Sequence, residues 1–194
     1  MLTFPVSHWG GTGPVITFLQ GETPISAATT TYTFNSVNIG AAAADRYVLV
    51  CIGSFVSATG RTLSGVTIGG SAANIHCNIR SEIGASSDMF AIIAGLLVTS
   101  GTTTTVVATF SGNMTSTFCQ VFTMRGAATP TSPYSAGTSG SNASVASVAT
   151  SVNVPQGGAL LATGGYFQQA SLTLAGSTSP GHGCSSLTFN RLTR

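Results

Sequence analysis

Residues 101–112 read GTTTTVVATFSG, and the reading of this stretch decides the fold. Val106, Ala108 and Phe110 alternate with Val107 and Thr109. One side of an extended chain is then larger and apolar, the other smaller and hydroxylated. Threonine is β-branched and favours the pleated backbone as valine does. Its hydroxyl keeps an outward face wet without a charge, and facing threonines can pair across strands. The stretch predicts a strand that enters from a turn at Ser100-Gly101 and leaves at Ser111-Gly112.

The same texture runs through the chain. Helical periodicity is poor, while β-branched residues and glycine stand where helix formers would be needed. Strands are expected at Val15–Leu19, Thr30–Val37, Tyr47–Val56, Leu63–Ile68, Ala73–Ile79, Met89–Leu97, Thr104–Phe110 and Thr117–Arg125. Four more are expected at Ala143–Val154, Ala159–Gln168, Ser171–Ala175 and Ser185–Phe189. Short strands separated by Gly, Ser, Asn and Pro predict an all-β fold, an antiparallel β-sandwich of jelly-roll-like form. Gly69-Gly70 in VTIGGSAAN reads as a hairpin turn. With no helix following, it is not a phosphate loop.

The surface implied by this pattern is unusual. The chain has 194 residues, of which only 5% are charged, against roughly 25% in an ordinary soluble domain. Arginine supplies all the basic charge, and the acidic residues are Glu22, Asp45, Glu82 and Asp88. Ser and Thr together make roughly 28% of the chain. A net charge of +2 gives no basic footprint for nucleic acid. Low charge leaves edges and patches undefended against association, so the surface reads as one covered by partners. The alternative is a secreted β-domain with a hydroxyl-rich face. The longest apolar run, Met89–Val98, is too short for a membrane-spanning helix. The N-terminus lacks the basic region of a signal peptide.

Residues 1–21 are expected to form an N-terminal arm, with the sandwich over residues 22–194 and a long loop or hinge at 127–147. The arm carries the one Trp of the chain, and Pro5 and Pro14 stiffen it. Phe4, Trp9 and Phe18 are its candidate interface anchors. Arg46, beside Asp45, is expected to pair either locally or across an interface. A possible internal repeat matches TLSGVT (62–67) with TLAGST (173–178), and VLVCIGSF (48–55) with ALLATGGYF (159–167).

Chemistry-bearing motifs are few. Glu82 and Asp88 in RSEIGASSD read as a solvated hairpin turn. No G-x-S-x-G elbow occurs, and His182 between glycines reads as part of a loop. Cys51, Cys77, Cys119 and Cys184 are widely spaced; three disulfide pairings are possible and the spacing selects none. Cys51 and Cys119 read as buried small hydrophobes, and no metal site is expected. His76 and Cys77, being adjacent, would point to opposite faces of a strand. Tyr32, Tyr47, Tyr134 and Tyr166 could form a sugar platform, although packing is the simpler role for strand aromatics.

DRYVLVCI (45–52), GVTIGGSAANI (65–75) and GTTTTVVATFSG, taken in order, resemble small β-sandwich virion proteins of bacteriophages and prophages. The resemblance covers roughly residues 30–125. It implies a non-enzymatic particle component without cofactor: a capsid decoration, head-fibre or tail protein, made in the host bacterial cytoplasm and located in the virion. Its partners would be copies of itself and other virion proteins, with no nucleic acid or membrane. The rival expectation is a receptor- or glycan-binding adhesin module that contacts a host-surface glycan.

Overall fold

The computed structural model describes residues 14–83, 86–127, 161–167 and 186–192. Among them are ten strands and no helix. They are β1 (Val15–Gly21), β2 (Ile25–Asn38), β3 (Tyr47–Val56), β4 (Leu63–Ile68), β5 (Ser71–Ala72), β6 (Asn74–Ile83), β7 (Ser87–Leu97), β8 (Thr103–Arg125), β9 (Leu161–Phe167) and β10 (Ser186–Leu192). The all-β class read from the sequence is the class observed. Eight strands, all antiparallel where they pair, belong to one hydrogen-bonded sheet in the order β5-β4-β8-β3-β7-β6, with β1 and β2 also on β8.

β8 organises this sheet. The alternation expected over residues 106–110 is present: Val106, Ala108 and Phe110 are buried, while Val107 and Thr109 are half-buried. The expected exit at Ser111-Gly112 is corrected, because the strand continues through it to Arg125 and merges two candidates into 23 residues. Gly112 does not take the positive φ of a turn glycine. Instead, β8 changes neighbours here. Its first half pairs with β4 up to Phe110, and its second half pairs with β3 from Ser116. Thr62 and Ser111 clamp the changeover: Ser111 N–H donates to the Thr62 carbonyl at 2.9 Å, and Thr62 N–H donates to Ser111 Oγ at 3.0 Å. The Arg61 side chain lies where a Cβ on Gly112 would stand, 2.8 Å from Cζ. A serine and a glycine together signal a turn, but here they provide room for an arginine beside a strand.

Both halves of β8 contribute to one core. Val106, Ala108 and Phe110 from the first half of β8 share one buried cluster with Cys119 and Val121 from the second half. Tyr32 and Phe34 of β2, Val50 and Ile52 of β3, and Phe90 and Ile92 of β7 belong to it too. The rings of Phe90 and Phe110 meet edge to face at 5.4 Å, a favoured aromatic geometry. On the reverse face of β3 lies a second cluster of Ile16, Tyr47, Leu49, Cys51 and Phe122, against which Leu161 of β9 packs. β3 is buried along its whole length because both of its faces are covered. Its continuous apolar run follows from that position.

Gly69 and Gly70 have φ of 62° and 80°, the two positive values of the expected two-residue hairpin turn. Expected to lead into the strand Ala73–Ile79, the turn joins β4 to the short β5 instead, and the strand that follows, β6, pairs with β7. The strand expected at Val15–Leu19, within the segment assigned to the arm, is present as β1 and pairs with the second half of β8. Phe4 and Trp9, the linker-like 128–147 and the candidate strands Ala143–Val154 and Ser171–Ala175 lie outside the described residues, as do Cys184 and His182. β9 and β10 pair in parallel, the one departure from antiparallel pairing among the described strands. β9 carries the second member of the possible repeat, yet its neighbour runs parallel, whereas both neighbours of β3 run antiparallel.

Candidate interaction surface

The few charged side chains are largely turned toward their own chain. Arg46 is fully buried. Its Nε donates to the Val98 carbonyl at 2.8 Å, Nη1 to Gly40 at 2.6 Å and Gly101 at 2.8 Å, and Nη2 to Ser100 at 2.5 Å. A rigid guanidinium fork can satisfy several converging carbonyls at once. Burial pushes its pKa down, and the neighbouring Arg125 adds to that. Of the two readings of Arg46, the local one describes its position. Enclosed by its own chain, it offers no group to a partner. It fixes the Ser100-Gly101 turn from which β8 begins.

Asp45, next to it, points outward. It accepts from Gly126 N–H at 3.0 Å and from Arg125 Nη1 at 3.4 Å. The Gly126 amide, with smaller help from Arg125, holds its carboxyl below the usual range. A second charged group closes the β6–β7 hairpin. Glu82 does sit opposite Asp88, as the polar turn implied. The solvated reading fails for Asp88, however, because it is fully buried. Its Oδ2 accepts from the backbone N–H of Arg61 at 2.9 Å, and its Oδ1 lies 3.1 Å from Arg80 Nε. Arg80 also pairs with Glu82 and, with Asp88 as the main cause, its pKa is raised. Asp88 therefore ties the end of β6 to the chain entering β4. The carboxylate was visible in the sequence, but the inward orientation and the Arg61 amide came only with the tertiary fold.

A polar cluster missed in the sequence sits on the reverse face of β3. The Tyr47 hydroxyl lies 3.0 Å from His76 Nε2 and accepts from Asn74 Nδ2 at 3.3 Å. With Asn74 donating, the hydroxyl keeps its own hydrogen and a second lone pair, so it can meet either tautomer of His76. Burial pushes His76 down and Tyr47 up, so both are held neutral. Gly95 leaves space for the Tyr47 ring, since a Cβ there would stand 2.4 Å from it. A register shift between Ile75 and Cys77 falls on His76, so simple alternation does not describe this pair. Among the described residues, no three His, Cys, Asp or Glu side chains are grouped to hold a metal ion. Cys51 and Cys119 are buried, as read, but belong to different clusters on opposite faces. Burial pushes the Cys119 thiol well up.

The strands β1, β2 and the first half of β8 carry hydroxyls and amides instead of charge. One side of β8 is lined by β2 and then β1, the other by β4 and then β3. β1 and β2 contain no charged residue. Thr31 lies opposite Thr109, and Thr33 and Thr67 flank Val107 from either side. This is the hydroxyl-lined sheet face anticipated from the Thr-rich strand. Phe18, the described anchor candidate, is on β1 with 47% of its surface exposed and its ring against Phe122. Leu97 and Ile75 are also exposed. Tyr32 and Tyr47 are buried and take no part in a surface platform.

No family model matches the chain, and no curated protein or solved structure does so either.

Proposed function

We propose that this chain is a non-enzymatic structural component of a bacteriophage particle, acting through protein–protein interfaces as a capsid decoration, head-fibre or tail protein. The observation that carries this reading is the division of charge. Asp45, Arg46, Arg80, Glu82 and Asp88 are engaged within the chain, while the β1–β2 side of the sheet presents hydroxyls, amides and Phe18. An uncharged surface permits dense packing of identical copies without repulsion, and obligate assemblies favour interfaces depleted in charge. The resemblance of residues 45–52, 65–75 and 101–112 to small β-sandwich virion proteins supplies the kind of assembly. In the particle, its partners are copies of itself and other virion proteins. Phe18 extends the contact surface along β1.

The test is to purify particles from cells carrying the gene and its neighbouring structural genes, and to quantify the chain by mass spectrometry. Stoichiometric incorporation in a fixed ratio to the shell or tail protein is expected. Exclusion of the chain from particles after gradient purification would overturn the reading.

A further inference from the structure

The sheet has two long open edges among the described strands, and they are built differently. β6 pairs with β7 alone, and the β6 edge carries Arg80 and Glu82. Charged side chains are a usual guard against strand pairing between molecules. β2 pairs with β8 alone, over 14 residues without a charge or a proline. Its outward side chains confirm its position. Thr31 and Thr33 are exposed, whereas Thr109 and Val107, opposite them on β8, are only half-exposed because strands flank them on both sides. Its inward side chains, Tyr32 and Phe34, are anchored in the core, so the edge is held rigidly.

We propose that the β2 edge pairs with the β2 edge of a second copy, antiparallel about a two-fold axis centred on Tyr32. This rests on the assembly reading above and names its contact. The occupant is a second copy because a two-fold axis sets a strand against itself, and self-pairing rejects a strand that brings like charges opposite one another. β2 meets that condition. An axis through Tyr32 keeps like faces together and places Thr31 opposite the partner's Thr33, twice. Threonines so placed form favourable cross-strand pairs. Thr31–Phe34 pair one to one with β8, and register shifts lie on either side of them. Ser36, with φ of 55°, bends the chain beyond. Those irregularities confine the pairing to a short central segment. The two-fold relation closes on itself and gives a dimer, not a fibre.

The experiment uses the full-length chain, with mass measured by light scattering over a dilution series. The unaltered protein is expected to show a dimer that dissociates on dilution. T31K/T33K places like charges across the axis and is expected to weaken the dimer by roughly 10-fold or more. T31K/T33E places opposite charges across it and is expected to restore dimerisation, more strongly at low salt. Ser57, exposed beyond β3, provides the control: S57K should leave the dimer intact. Circular dichroism should show every variant folded as the unaltered chain is. A dimer insensitive to T31K/T33K, or equal weakening by T31K/T33K and T31K/T33E, overturns the β2 contact. So does a chain that is monomeric at all concentrations. None of these three results alters the particle measurement, which decides the assembly reading separately.

Discussion

The β6 end of the sheet and the β1–β2 side make opposite use of charge. At β6, Asp88 is buried beneath Arg80 and the Arg61 amide, so the ionic groups serve to hold strands together. On the β1–β2 side, backbone pairing to β8 and the aromatic anchors beneath do that work without ions. In a chain that is 5% charged, the placement of each ion carries information. Arg46 and Asp88 fasten turns, and Arg80 and Glu82 guard an edge. Where no charge appears, over 14 consecutive residues of an exposed strand, a contact with a like surface is permitted.

The comparison implies that substitutions in the ionic and core groups cost stability, and those along β2 cost association only. The largest effect is expected at Arg46. Arg46→Ala removes the donors to four carbonyls and should destabilise the fold by about 3–5 kcal/mol, lowering Tm by about 10 °C, checked by thermal melting. A change within 1 °C would sever buried charge from stability. Gly53→Ala comes next. Its new methyl would stand 2.0 Å from the Phe118 ring, and overpacking there should cost about 1–3 kcal/mol in denaturant unfolding.

Asp88→Asn preserves shape but removes the charge facing Arg80. Because Arg80 is about one-third exposed, solvent screens part of the attraction, and the expected loss is about 1–2 kcal/mol. Hydrogen exchange should show it concentrated at the β6–β7 hairpin. A uniform loss across the sheet would mean that the pair does not act at the edge.

A smaller effect concerns pH. His76 is held neutral by burial, so its folded pKa lies below the ordinary 6.5. The unfolded chain then binds the proton more readily. The contribution of neutral His76 is present above 6.5 and is lost as pH falls from there through the folded pKa. Melting across this window should show that decline, and His76→Gln should flatten it. An unchanged slope would exclude His76 as its source. The smallest expected effect is on the opposite side of the comparison. T31K/T33K should leave monomer stability within about 0.5 kcal/mol, because both side chains are exposed. A larger loss would mean that β2 is held by more than its backbone and inward anchors.

The legible and illegible parts of this fold divide by range. Tyr47–Val56 and Leu63–Ile68 were readable to the residue, because continuous apolar content and a Gly-Gly turn are local signals. The hydroxylated outer face was readable from Val106 to Phe110 by alternation alone. Ser111-Gly112 misled, since a turn and a strand passing an arginine use the same small residues. Arg46 stood in plain view in ADRYVLV, but its acceptors belong to turns at Gly40 and Val98–Gly101, brought to it by the return of β7. Tyr47, Asn74 and His76 likewise come from strands that are not adjacent in sequence.

By itself, the sequence determined the class of structure: β-branched alternation excludes helix, glycine pairs place turns, and the scarcity of charge constrains the surface. Only the tertiary structure decided that β8 runs on past Gly112 and serves both sides of the core, that Asp88 turns inward, and that β2 stands at an edge among the described strands. The physical reason is that strand formation is encoded in neighbouring residues. Strand partnership is set by which apolar faces can be covered simultaneously, and that depends on the whole chain.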